Sequence, residues 1–174
     1  DKRGFLFLRQ IKSAFIRVLF LDSGYIIIFA TEIQAEVDIH ATPTAVWQAF
    51  CDIEAWPHWY PGVLNATWQQ GEPWTPHARM QLSVQNSLRR TMTSIATVQP
   101  APTGLMVWEN RMPGLITVCR GQICALNEEW TRFTLHKTYR GAAVILLHLL
   151  KQRQVQMLCQ GLENLRQQIE TVAN

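Results

Sequence analysis

The sequence predicts an α+β protein in which a run of antiparallel strands is followed by one long C-terminal helix. Three observations carry this. Between residues 63 and 140, short β-rich runs are separated by turn-forming residues. Near the C-terminus, Val155, Leu158, Leu162, Leu165, Ile169 and Val172 recur at alternating spacings of three and four, the seam of a helix. Between them in importance stands the stretch 38–62, DIHATPTAVWQAFCDIEAWPHWYPG, which passes from strand to helix to an aromatic, proline-punctuated segment.

That stretch organises the rest. Val37 and Ile39 alternate with Asp38 and His40, the period of a half-buried strand. Thr42 is placed to cap a helix and Pro43 suits its first turn, where the missing N–H costs nothing. Val46, Trp47, Phe50 and Ile53 then give that helix one apolar face. In the segment 54–62 two prolines stop any long helix, and Trp56, Trp59 and Tyr60 need an apolar surface to cover. A lid over a core or a pocket is the expected role.

Downstream, strands are expected over Val63–Gln70, Ala78–Leu88, Thr91–Gln99, Gly104–Arg111, Leu115–Ala125 and Glu129–Arg140. Their separators include Gly71-Glu72-Pro73, Pro113-Gly114 and Asn127-Glu128. With the strand before the first helix this makes seven. The apolar run 142–150 reads as the enclosed start of the C-terminal helix. Gly161 sits inside that helix at a cost of roughly 1 kcal/mol against alanine; it either admits close approach of a strand or ligand or is simply tolerated.

Upstream, Phe5 to Leu21 places Leu8, Ile11, Phe15, Val18 and Asp22 on one helical stripe, interrupted too often by charge for a membrane span. Residues 1–31 hold five basic and two acidic side chains, so the whole net charge of +3 lies there. The expected organisation is therefore a basic amphipathic helix and turn over 1–31, followed by a ligand-binding domain over 32–174. The helix offers a peripheral membrane contact, or docks on the domain or on a second copy. Apolar content of 48% and charged content of 17% describe a globular chain, and nothing in the balanced remainder argues for a nucleic-acid groove. Four cysteines without CxxC spacing point to free thiols in a reducing, cytoplasmic setting.

The segment ATPTAVWQAFCDIEAWPHWYPGV resembles the opening of the polyketide cyclase/dehydrase branch of the START-like (SRPBCC) superfamily. The likeness rests on Ala41, Pro43, Val46, Trp47, Asp52, Trp56, Pro57, Trp59 and Pro61. It continues in Leu105-Met106-Val107-Trp108, in Thr131-Arg132 and in Tyr139-Arg140-Gly141, although Glu129-Trp130 stands where the family usually has Gly-Gly. The resemblance implies a helix-grip fold: a seven-stranded curved antiparallel sheet around the long C-terminal helix, here with an N-terminal helical extension. It also implies an apolar cavity between the concave sheet face, the helix and the 56–61 lid.

If Pro113-Gly114 and Asn127-Glu128 are two-residue hairpin loops, Glu109 opposes Val118 and Val118 opposes Lys137. Glu109, Arg120 and Lys137 would then form the polar end of the cavity, or a structural ion network. The expected ligand-contacting residues are Trp56, Trp59 and Tyr60 of the lid and Leu158 and Leu162 of the helix. From the sheet come Val107, Glu109, Val118, Arg120, Leu135, Lys137 and Tyr139. No nucleotide, metal or hydrolase motif is present, and no cofactor is expected. Binding or transport of a lipid or other hydrophobic small molecule is the first functional reading. A cyclase/dehydrase-like enzyme is the second, with Glu109, Tyr139 or Arg120 moving a proton, and a protein or membrane interaction module is the third.

Overall fold

The computed structural model describes residues 13–21, 24–85, 90–102 and 104–172. The strands are β1 (Ser13–Leu21), β2 (Gly24–His40), β3 (Val63–Gln70), β4 (Arg79–Gln85), β5 (Thr91–Gln99), β6 (Leu105–Met112), β7 (Leu115–Ala125) and β8 (Trp130–Arg140). All pair antiparallel in one sheet of order β1-β2-β8-β7-β6-β5-β4-β3. The strands β2 to β8 form the curved seven-stranded sheet of a helix-grip fold. The helices are α1 (Pro43–Cys51), α2 (Trp56–Trp59), α3 (Val144–Leu149) and α4 (Lys151–Val172), with a 3₁₀ turn at Ile53–Ala55.

One expectation is corrected. Ser13–Leu21, read as part of an amphipathic helix, is a strand whose register runs from Ser13 opposite Glu32 to Leu21 opposite Gly24. An isolated helix of that length is marginal, whereas the extended edge of β2 offers a ready ladder to a run rich in Phe, Ile and Val. The rest of the expected helix lies in residues 1–12, outside the described residues. Strand β2 continues without a break through residues 31 and 32. No helix among the described residues is long and apolar enough to cross a membrane.

Local chemistry fixes the turn from sheet to lid. Thr42 caps α1, its hydroxyl accepting from the Ala45 amide at 3.3 Å, and Pro43 occupies the first turn. Thr131 donates its hydroxyl to the Ala41 carbonyl at 2.7 Å, and Arg132 clamps both carboxylate oxygens of Asp38 at 2.7 and 2.8 Å. The Thr-Arg pair thus ties β8 to the end of β2 just where α1 begins. Val46 and Phe50 of α1 are fully buried.

Phe50 is the hub of an aromatic cluster. Its ring lies 4.9 to 6.1 Å, centroid to centroid, from Phe133, Trp56, Trp74, Trp108 and Trp59, within the range of favourable tilted contacts. Trp56 donates its indole N–H to the Phe50 carbonyl at 2.8 Å, and Trp74 donates to the Cys51 carbonyl at 2.9 Å. Helix α4 buries Val155, Leu158, Leu162, Leu165 and Ile169 against this core. The start of the C-terminal helical region departs from expectation. It is a separate short helix, α3, and it is not enclosed on all sides: Ile145 and Leu149 are 56% and 77% exposed.

Candidate functional site

The pairing of β6, β7 and β8 decides which side chains face α4. Met112 pairs with Leu115, so Glu109 opposes Val118. The next hairpin is longer than a two-residue loop. Ala125 pairs with Thr131, and Asn127 accepts the amides of Glu129 and Trp130 on its side-chain oxygen at 2.9 and 2.8 Å. Val118 therefore opposes Thr138, and Lys137 opposes Cys119. This one-residue shift transfers Lys137 to the face opposite Glu109.

Two adjacent rows result on the inner face. One runs Trp108, Cys119, Lys137, Ile33, and the other runs Asn110, Thr117, Tyr139, Thr31. On the outer face, Glu109, Val118, Thr138 and Glu32 form one row, and Val107, Arg120 and His136 another. The expected polar cluster is thereby corrected. Glu109 pairs with Arg111, Arg120 donates to the Thr138 hydroxyl at 3.3 Å, and Glu32 lies 3.5 Å from His136. Glu109, Arg120, Val107 and Val118 all stand on the outer side.

Between the inner face, the lid and the C-terminal helices lies a cavity of about 330 Å³. Its lining draws Trp56, Tyr60, Pro61 and Gly62 from the lid, Leu147 and Leu150 from the α3 region, and Gln154 and Met157 from α4. The sheet adds Leu82, Val84, Met92, Trp108, Asn110, Met112, Leu115, Thr117, Cys119, Lys137 and Tyr139. Of the residues named from sequence, Trp56, Tyr60, Lys137 and Tyr139 are thus brought together. Trp59, Leu135, Leu158 and Leu162 are buried in the core instead of lining the cavity.

Asn110, Thr117 and Cys119 were missed because the second hairpin was assigned one residue too short. An Asn opening a loop is the available signal, since its side chain readily accepts backbone amides two and three residues on. The sulfur-bearing lining residues Met92, Met112 and Met157 carry no local signal.

Three devices hold the lid, two from α4 and one from the end of β4. Asn164 donates its side-chain amide to the Trp59 carbonyl at 3.0 Å. The Gln85 amide donates to the Gly62 carbonyl at 2.6 Å. Gly161 lets the lid approach: a Cβ there would lie 3.1 Å from Pro61 Cδ and 3.2 Å from Tyr60 Cδ2. The sequence offered a strand or a ligand as the close neighbour of this glycine; the neighbour is the lid.

The polar groups of the cavity are few and neutral except one. Lys137 Nζ lies 4.7 Å from the centre of the Tyr60 ring, in cation–π range. Burial pushes the Tyr139 phenol up to about 12, and it drives the Tyr60 phenol well above the usual tyrosine value. Burial also raises the Cys119 thiol, although Lys137 and Arg120 oppose that shift. All three remain protonated near neutrality. The Tyr60 hydroxyl and the Asn110 side-chain oxygen are buried without a hydrogen-bond partner, while the Asn110 amide donates to Ser94 Oγ at 2.6 Å.

Comparisons with known proteins agree with this architecture. The structure resembles the Zhui aromatase/cyclase from Streptomyces sp. R1128, with a TM-score of 0.71 at 12% identity, covering 83% of this chain and 96% of that one. A START superfamily protein from Mycobacterium smegmatis superposes with a TM-score of 0.66 at 15% identity, covering 79% and 98%. A norcoclaurine synthase point mutant from Thalictrum flavum gives 0.65 at 7% identity, covering 86% and 99%. Such low identities establish the shared fold. No curated protein sequence matches the chain significantly. The profile of the family described as polyketide cyclase / dehydrase and lipid transport matches residues 30–170, and the chain belongs to that family.

Proposed function

We propose that the chain binds a lipid or other hydrophobic small molecule in the cavity between sheet, lid and α4. The observation that carries this reading is the cavity itself. Its volume of about 330 Å³ falls within the range of roughly 300 to 1,000 Å³ common for small-molecule sites, and its walls are mostly aliphatic, aromatic and thioether. Burial of an apolar guest there is favourable by roughly 25 cal/mol per Å² removed from water.

Binding is favoured over turnover by the character of the lining. Of the three proton-moving candidates, only Tyr139 reaches the cavity, while Glu109 and Arg120 face the other way. No Asp, Glu or His lines it among the described residues, so Tyr139 has no carboxylate or imidazole beside it to act as general base. The family description covers both cyclase/dehydrase and lipid-transport members.

Native mass spectrometry of freshly purified protein tests the reading. A co-purified small-molecule mass is expected, and it should disappear in Val84→Trp, which places an indole in the cavity. A bare protein mass in the wild type, together with no response of the cavity tryptophans to any apolar compound, would reject it.

A further inference from the structure

We propose that the ligand bears a carboxylate, or an oxygen of equivalent negative charge, and that Lys137 selects it. This rests on the cavity-binding reading above and specifies its ligand class. Lys137 is the only charged residue that lines the cavity among the described residues. Its flanking neighbours in the row are Cys119 on β7 and Ile33 on β2, and the Tyr60 ring packs from the lid. None carries a negative charge, because the buried thiol and phenols stay protonated.

The nearest rows that do contain carboxylates are on the other face. There Glu109 is engaged by Arg111 and Glu32 lies beside His136. Among the described residues, that ammonium meets the face of the Tyr60 ring, a weak acceptor, and no carboxylate. A carboxylate entering with an apolar tail would replace that contact with a charge-assisted hydrogen bond while its tail meets the apolar walls. Tyr139 adds a neutral donor to the same end of the cavity. A neutral ester or amine of the same shape would gain the apolar burial without the charge.

Quenching of Trp56 and Trp108, which line the cavity, supplies the readout. The titrants are dodecanoate and 2-naphthoate, each beside its methyl ester. At least one acid should bind more tightly than its ester by roughly tenfold to a hundredfold, the span of a hydrogen bond to a charged group. Lys137→Met should erase that preference while leaving ester affinity in place, and Lys137→Arg should retain it. Equal affinity for acid and ester in the wild type overturns the anionic-head assignment and leaves the cavity reading standing; that comparison needs no variant to fold. A preference that survives in folded Lys137→Met overturns the role of Lys137. If none of the four compounds binds, this inference falls, while the cavity reading stands or falls on the native mass and the wider set of apolar compounds.

Discussion

Two walls of the cavity are built on opposite plans. The lid wall, residues 56–62, is locked from every side. Trp56 and Trp59 are 1% exposed, the indole of Trp56 is tied to Phe50, and α4 presses on it through Gly161 and Asn164. The α3 wall gives Leu147 and Leu150 to the cavity but leaves Ile145 and Leu149 largely in solvent. Packing in the first wall is that of a protein core, dense and unforgiving. The second is anchored by the buried Val144 while Ile145 and Leu149 stay in solvent, and sparse packing of that kind lets a region open at low cost. A cavity bounded this way can stay shaped on one side and yield on the other.

Substitutions should separate the two walls by size of effect. The largest loss is expected from Phe50→Ala, which removes the hub ring that five aromatics touch; unfolding in urea should report about 3–5 kcal/mol of destabilisation. Gly161→Val should come next. Its branched side chain meets Pro61 and Tyr60, so overpacking of about 1–3 kcal/mol is expected, with a changed tryptophan emission as the lid shifts. Gly161→Ala tests the same contact more gently, since its helix propensity gain offsets part of the clash. The smallest effect belongs to Leu149→Ser on α3, which should leave stability within about 0.5 kcal/mol of the wild type. A Leu149→Ser loss as large as that of Gly161→Val would erase the distinction between the walls.

The lid and the succession of strands were legible because their signals are local. Thr42-Pro43 starts α1 by capping chemistry alone, and Pro113-Gly114 sets the β6–β7 register because Gly114 adopts a φ of +73° that suits a tight turn. The cavity floor was less legible, because strand parity multiplies a small error. Asn127 lengthens one loop by a single register step, and Glu109 and Lys137 part company across the sheet. Trp74 escaped notice for another reason. It sits within a turn at a φ of +61° and reaches back to meet Phe50 and Trp56 at a tilt and Trp68 and Trp108 edge-on, a long-range arrangement with no periodicity to announce it. The N-terminal strand was misread because apolar residues spaced for a helix stripe are also good strand formers, and only the partner strand decides between them.

The glycine pair where β8 ends has a mechanical consequence. A Cβ on Gly141 would stand 2.5 Å from the Gly114 carbonyl oxygen, and the Ala143 amide donates to that same oxygen at 3.0 Å. The tip of the β6–β7 hairpin is therefore latched to the chain entering α3. Any outward swing of that short helix must either carry the hairpin tip along or unfasten the latch, so opening of the cavity on this side would be a coupled movement of two segments almost thirty residues apart in sequence.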